Sequence, residues 1–437
     1  MRMVKLVQVL WTLALATAVL LPLARGASAS PQDVSIERSG SIVVFPKVVW
    51  DGTRDTIIQI GNTSNSLVHA RCFYVNGADS AQCSETDFDI WLTRKQPTHW
   101  VASVGRLTFD DPPGSDNNAN DNGFPPGLIP PVQQGFIGEL KCVQVDPSDA
   151  PLRMNALKGE ATIRNLSGDV SEYNAIAFQG NSDMTISDPL ASGPDDLVLD
   201  YTATTAAVDA GEYSACPDTL LFNHLTEGSP DEVVSQLGEC TPAVCIGGTT
   251  NKLGLACTVD ADCGTNGVCG GCPISTELTL VPCSENLEDQ IPGAVTVQFT
   301  VYNEFEQPYS ASTTVDCYMN LALSRIHPTA FSFVTLGTLG AYSRITPNPG
   351  KCNTTRGVCT AGSAIGASCG SDADCPSAGG VIGVAEEFRA ASTAGALGPK
   401  AAAAYNLQTE GNRFDAATNG DGVPVTGVTD HIIIPQP

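Results

Sequence analysis

Sixteen cysteines carry most of the chemistry this chain could do: Cys72, Cys83, Cys142, Cys216, Cys240, Cys245, Cys257, Cys263, Cys269, Cys272, Cys283, Cys317, Cys352, Cys359, Cys369 and Cys375. Thiols at this density pair, bind metal or exchange electrons. Zinc has one opening, because Cys269-Gly-Gly-Cys272 is a C-x2-C pair and Cys240-x4-Cys245 would complete a four-thiolate set. No histidine lies in that cluster, and exported thiols meet oxidants before zinc. A redox C-x2-C needs a thioredoxin-like βαβ setting, which the pattern lacks. An even count then reads as disulfides. Cys240, Cys245, Cys257, Cys263, Cys269 and Cys272 allow three bridges among themselves, and Cys352, Cys359, Cys369 and Cys375 allow two. For the remaining six, the expected pairs are Cys72–Cys83, closing a hairpin, Cys283–Cys317, joining two strands, and Cys142–Cys216.

Oxygen ligands suggest one metal. Asp116, Asn118, Asn120 and Asn122 put oxygen side chains at every second residue before Gly123, as the first half of a calcium loop does. Ile129 stands where an EF-type loop needs its closing acid. Asp415, Asn419 and Asp421 before Gly422 form a second candidate. The competing reading is a solvated turn, since the same residues dominate loops. Ca2+ is the only cofactor these residues suggest. Asp260, Asp262, Asp372 and Asp374 read instead as turn caps.

Catalytic motifs are missing. The five histidines are His69, His99, His224, His327 and His431, and no H-E-x-x-H, Walker A or G-x-G-x-x-G motif occurs; the single G-x-S-x-G string, Gly366 to Gly370, lies among the cysteines of the second insert with no strand-like run before it. A Ser-His-Asp set assembled from distant residues stays open, because triads are defined by geometry. Trp50, Trp91, Trp100 and Tyr74 are candidate sugar platforms, with core packing as the plainer alternative.

The start of the chain gives an address. Arg2 and Lys5 precede an apolar run from Leu6 to Leu21, and Ala27-Ser28-Ala29 offers small residues for cleavage. Residues 1–29 are therefore expected to be a signal peptide, making the protein secreted, extracellular or periplasmic, with no membrane span once processed. Processing removes three cations (Arg2, Lys5, Arg25) and no acids, so the net charge of −25 becomes −28. Such a balance argues against nucleic acid and against anionic membranes, both of which need Lys and Arg. Sequons at Asn62, Asn165 and Asn353 matter only in a host that glycosylates.

The elements that must position these groups are strands. Short Val/Ile/Thr/Phe runs recur between Gly, Pro, Asn and Asp clusters, for example Ser41–Phe45, Thr56–Ile60, Leu67–Val75, Gly135–Val145 and Val295–Tyr302. Helical periodicity is scarce, and the Ala-rich stretch Glu386 to Tyr405 is broken by Gly395, Gly398 and Pro399, so it reads as a loop with one short helical turn. Landmarks recur in order: Ile58-Gln59-Ile60, Cys72 and Thr86–Ile90, then Val297-Gln298-Phe299, Cys317 and Thr329–Phe333. Asp196–Leu199 and Asp430–Ile434 close the two halves. The expected fold is all-β: two antiparallel β-sandwich (Ig-like) lobes from a divergent duplication, with disulfide-rich insertions. Lobe 1 spans 36–200, a connector with a disulfide-rich module 201–274, and lobe 2 275–437 with an insertion at 352–375.

The inserts share a smaller repeat. Cys257-Thr-Val-Asp-Ala-Asp-Cys263 and Cys369-Gly-Ser-Asp-Ala-Asp-Cys375 both read C-x2-D-x-D-C, amid Gly, Asn and Ser. Such segments bury too little apolar surface to fold unaided. Over residues 240–272 and 352–375 the pattern resembles short cysteine-rich repeats of secreted proteins, including the Dickkopf-type module and the Cys-rich repeats of large secreted bacterial proteins. The resemblance implies stapled extracellular structure used for contact with partners, and no catalysis. The expected function is thus a non-enzymatic exported structural, surface or adhesion-type protein meeting a protein or glycan outside the cell. The alternatives are an extracellular glycan- or calcium-binding module, or a secreted hydrolase whose site has no recognisable motif.

Overall fold

A computed structural model describes residues 34–78, 83–106, 127–152, 154–165, 168–179, 219–231, 243–247, 256–265, 267–283, 293–347, 351–361, 369–370, 380–389 and 400–409. The described chain is mostly strand, in antiparallel sheets. The first lobe holds β1 (Val34–Ser35), β2 (Ile42–Trp50), β3 (Arg54–Asn62), β4 (Val68–Asn76), β5 (Ser84–Leu92), β6 (Pro97–Val101), β7 (Phe136–Val145), β8 (Leu157–Asn165), β9 (Val170–Asn174) and β10 (Ile176–Phe178). They form one ten-stranded sheet in the order β5-β4-β7-β2-β3-β8-β9, with β10 and β6 added on β2 and β3 and β1 on β10.

Strand periodicity explains its core. Val68, Ala70, Cys72 and Tyr74 point from one face of β4 into a cluster with Phe45, Ile58, Ile90, Trp100 and Leu140. Val75 and the half-buried Phe73, on the opposite face, join a second cluster. Both faces of β4 are therefore covered, which is why its sequence alternates imperfectly. β2 does the same: Val43 and Phe45 serve one cluster, Ile42 and Val44 the other.

The second lobe contains β11 (Leu220–Leu225), β12 (Pro230–Asp231), β13 (Ala243–Gly247), β14 (Ala256–Cys257), β15 (Gly267–Pro282), β16 (Ala294–Asn303), β17 (Pro308–Asp316), β18 (Met319–Ala322), the one-turn helices α1 (Leu323–Ile326) and α2 (Phe333–Leu336), β19 (Gly340–Pro347), β20 (Lys351–Asn353), β21 (Val358–Ala361), β22 (Val381–Arg389), β23 (Lys400–Asn406) and β24 (Gln408–Thr409). One sheet runs β17-β16-β19-β11-β24 and another β14-β13-β15-β22-β23, while β20 and β21 pair apart. Phe222, Val297, Phe299 and Ile345 of the first meet Leu278, Leu280 and Ala385 of the second in a shared core.

Three expectations are corrected. Leu220–Leu225, placed in the connector, is a strand of the second lobe, bonded to β19 along its whole length. Lys400–Asn406 is a strand on β22 where a loop with a helical turn was expected, since backbone pairing outweighs alanine's helical preference. The isolated disulfide guesses also fail. Cys72 bridges Cys142, its register partner across β4 and β7, with Cα atoms 4.0 Å apart. Sequence neighbours are not sheet neighbours here. The hairpin partner of Cys72 on β5 is Phe88, while Cys83 lies at the turn and bridges Cys317 of the other lobe. This excludes Cys72–Cys83, Cys142–Cys216 and Cys283–Cys317; Cys283 is in a disulfide of its own. Within the cysteine-rich module, Cys245 pairs with Cys263 and Cys257 with Cys269.

Candidate functional site

Two places concentrate polar chemistry: the seam between the lobes and an open pocket on the second lobe. The seam starts from a sequence oddity, Pro46 within the buried strand β2. Proline has no N–H for the ladder and sits at bulges. The β2–β7 register shifts between Phe45 and Val48 accordingly. The hydroxyl of Tyr173 accepts from the Lys47 amide at 3.1 Å and donates to its carbonyl at 2.6 Å, satisfying the backbone that the bulge releases.

The Lys47 side chain crosses to the second lobe. There Glu277 of β15 and Glu386 of β22 stand directly opposite each other, an unfavourable pairing of like charges. Lys47 Nζ lies 2.8 Å from Glu277 Oε2 and 2.8 Å from Glu386 Oε2. Arg54 Nη1 follows at 3.3 and 3.5 Å, and its Nε bonds Asp51 at 2.8 Å. Ser171 donates to Glu386 Oε1 at 2.7 Å. The Phe388 ring takes both cations on its face, at 5.5 and 5.3 Å. Lys47 and Glu386 have no exposed side-chain surface. Burial alone would raise the Glu277 carboxyl, but Lys47 and Arg54 outweigh it and hold it down at about 2. On β7, Lys141 Nζ pairs with Glu139 Oε1 at 2.9 Å, again fully buried. Here burial wins, and the Glu139 carboxyl is raised despite Lys141.

The pocket, about 440 Å³, opens at one end of the second lobe. Tyr302, Tyr342 and Asn223 are register partners in a row across β16, β19 and β11, on the solvent face. The two rings lie side by side, with centroids 6.1 Å apart and planes 34° off parallel. Tyr405 and Glu387 of the other sheet form a wall, the Tyr405 hydroxyl donating to Asn223 O at 2.9 Å. Glu304 closes one end, accepting from Gly340 N at 2.7 Å.

His224 borders this pocket from the core side. Its Nδ1 meets Leu225 O at 3.0 Å and its Nε2 meets Ser343 Oγ at 2.8 Å. A hydroxyl bonded to a held imidazole is the outline of a nucleophile and base. Ser343 is 0% exposed, however, and Phe222 and Phe331 flank the ring, so the hydroxyl has no open side. Burial lowers the imidazole to about 4, keeping it neutral at physiological pH.

The other expected residues disperse. His99 is exposed on β6 and His327 half-buried after α1. His69 stacks on Trp91 at 3.8 Å and touches Asp89 at 3.0 Å, near Asp149. Arg71 already pairs with Asp87 and Asp149, so a cation occupies those carboxylates. Trp100 donates to Tyr74 at 2.6 Å in the core, and Trp50 packs half-buried against it, so neither Trp100 nor Tyr74 is a platform. Cys245, Cys257 and Cys263 cluster, but as members of bridges rather than as metal thiolates. Asp262 caps its turn as expected, accepting from the Thr258 amide at 2.8 Å, whereas Asp260 accepts from the Cys269 amide of β15 at 2.8 Å and so ties the turn to that strand; Asp372 and Asp374 lie outside the described residues. Asn62 is no glycosylation site in the folded chain, because its buried amide is held against the carbonyls of Ser66, Leu92 and Thr93. Asp116, Asn118, Asn120, Asn122, Asp415, Asn419, Asp421, His431 and the signal segment lie outside the described residues. Tyr302 and Tyr342 were missed, though the signal was present: Val297, Phe299 and Val301 alternate inward and place Tyr302 outward.

Neither a comparison with protein-family models nor one with curated proteins finds a match to the chain. Among the described residues, no helix is long and apolar enough to cross a membrane.

Proposed function

We propose that the chain is an exported, non-enzymatic surface or adhesion-type protein whose two lobes act as one rigid body and meet a protein or glycan outside the cell. The observation that carries this reading is the welded seam. Cys83–Cys317 ties residues 234 positions apart, beside a mixed apolar cluster and a four-charge set drawn from both lobes. A cross-link of that span persists in an oxidising compartment and stiffens a body that must hold its shape. Each lobe is read as a β-sandwich and the pair as a divergent duplication. The stapled module at 240–272 is read as a contact element, in line with its resemblance to secreted repeats.

Fractionation of tagged, full-length protein with non-reducing peptide mapping tests the reading. The expected result is material outside the cytoplasm with Cys83 joined to Cys317. Cytoplasmic recovery with free thiols overturns it. A screen against ester, peptide and glycoside substrates is expected to be flat; turnover by the intact chain that Ser343→Ala abolishes would make it a hydrolase.

A further inference from the structure

We propose that the pocket on the second lobe is a binding site for neutral glycans, with one pyranose ring seated on the Tyr302–Tyr342 floor. This rests on the extracellular reading above and names its ligand class. Sugars present two kinds of surface: a patch of C–H groups on a ring face, and a rim of hydroxyls. The first stacks on aromatic rings and the second needs hydrogen-bonding groups at the edge.

The pocket offers both. Tyr302 and Tyr342 are partly exposed and lie as neighbours on the floor, tilted by 34° and held in register by paired strands. A floor carried on strands is more exactly placed than one carried on a loop. The rim holds the exposed amide of Asn223, which can both donate and accept, and the carboxylates of Glu304 and Glu387, which accept. Phe305, next to Glu304 in the β16–β17 turn, is 72% exposed. It is the most exposed of the large apolar side chains among the described residues, one position along the chain from Glu304, which lines the pocket.

Charge selects within the class. Among the described residues that line the pocket, the exposed Glu304 carboxylate stands at one end and there is no Lys or Arg, which disfavours sulfated, phosphorylated and sialylated sugars. An organic cation is the competing ligand, since Tyr405 in the wall adds a third ring to the floor, and choline therefore stands in the test.

The test is calorimetric titration of the full-length, disulfide-intact protein with cellotriose, maltotriose, mannotriose, 3′-sialyllactose and choline. At least one neutral trisaccharide is expected to bind with a Kd on the order of 10 µM to 1 mM, with sialyllactose and choline silent. Tyr302→Ala/Tyr342→Ala should weaken binding more than tenfold, while Tyr302→Phe/Tyr342→Phe, which keeps the stacking faces, should retain it. Phe305→Ala should cost only a few-fold. Both tyrosines point outward, so an unchanged melting temperature will confirm that the variants fold. Failure of every neutral sugar to bind, unchanged affinity in the double alanine variant, or binding of choline in place of sugar overturns the proposal. A protein recovered outside the cell with its bridges mapped, yet silent to all the sugars, sinks this inference alone. Cytoplasmic recovery sinks the reading beneath it.

Discussion

The seam between the lobes and the cysteine-rich module solve the same problem, holding strands together, with opposite means. At the seam, Ile42, Val44, Val75, Val143 and Phe178 of the first lobe meet Val281, Tyr318 and Ile382 of the second, and charges are buried among them. One bridge adds to a contact that already has substance. Among the module's described residues, the buried cluster consists of Cys245, Cys257 and Cys263 packed with Cys269, so the sulfurs are the core there. Where the sequence is Gly- and Asp-rich it cannot bury enough apolar area, and covalent bonds stand in. Where it is rich in Val, Ile and Phe, buried charges can be accommodated because partners meet them.

The contrast is broken most strongly at Lys47. Lys47→Met leaves the fully buried Glu386 facing Glu277, with Arg54 as the remaining cation among the described residues and Ser171 as its hydrogen-bond donor. The expected loss is about 3–5 kcal/mol, the usual cost of stranding a buried charge. Urea unfolding will measure it. Replacing the acid as well, in Lys47→Met/Glu386→Leu, should restore most of the loss, because an apolar contact of similar size often equals a buried pair. A double variant as unstable as the single one would mean the charges also specify how the lobes dock.

The module should fail differently. Cys245→Ser/Cys263→Ser removes a link spanning 18 positions, worth about 3 kcal/mol by chain-entropy reasoning. Because the module's cluster is made of cysteines, the loss should appear as local cleavage by protease near 243–271, with the lobes still melting as before. A global drop in melting temperature would show that β15, which runs from the module into the second lobe, transmits the damage.

How far these differences were legible depends on their range in sequence. The all-β character could be read because strand alternation is local, as in Val297, Phe299 and Val301. The stapled nature of residues 240–272 was equally local. Cys72–Cys142 was not, because β4 pairs with β7 across a long connection, and spacing favours the nearer Cys83. The seam was invisible for the same reason. Lys47, Glu277 and Glu386 are ordinary charged residues until β15 and β22 set the two acids opposite each other and the Pro46 bulge turns the lysine toward them. The pocket was half-legible: alternation marks Tyr302 as outward, but only the β16–β19–β11 register aligns it with Tyr342 and Asn223.

Acid separates the charged seam from the neutral core. The Glu277 carboxyl titrates at about 2 in the fold and near 4.5 when free, so its contribution is full above about pH 4.5 and is lost as pH falls toward 2. Its side chain is 27% exposed, and solvent screening trims the effect to about 2 kcal/mol. His224 acts in a higher window. Held at about 4 against 6.5, it refuses a proton that the unfolded chain accepts, so stability falls as pH drops from 6.5 to 4. Glu277→Gln should make the lower window shallower, leaving the share of Asp51, which Arg54 and Thr53 also hold down at about 2, and should leave the upper slope, as read by melting temperature against pH. Loss of both slopes together would refute this division.

The smallest effect tests how tightly the lobes fit. Gly77 lies in the turn after β4, directly against the buried ring of Tyr318, and a Cβ there would overlap ring atoms Cδ1 and Cγ. The ring cannot retreat easily, because Cys317 beside it is tied to Cys83, a few residues from Gly77 itself. Gly77→Ala should therefore cost about 1–2 kcal/mol through overpacking. The companion change Tyr318→Leu makes room, so the double variant should regain part of what the alanine removes, leaving a favourable coupling between two residues 241 positions apart. Additive losses would mean that the turn and the ring move independently. The seam would then be held by its bridge and charges, as the module is held by its sulfurs, and close packing would contribute little to either.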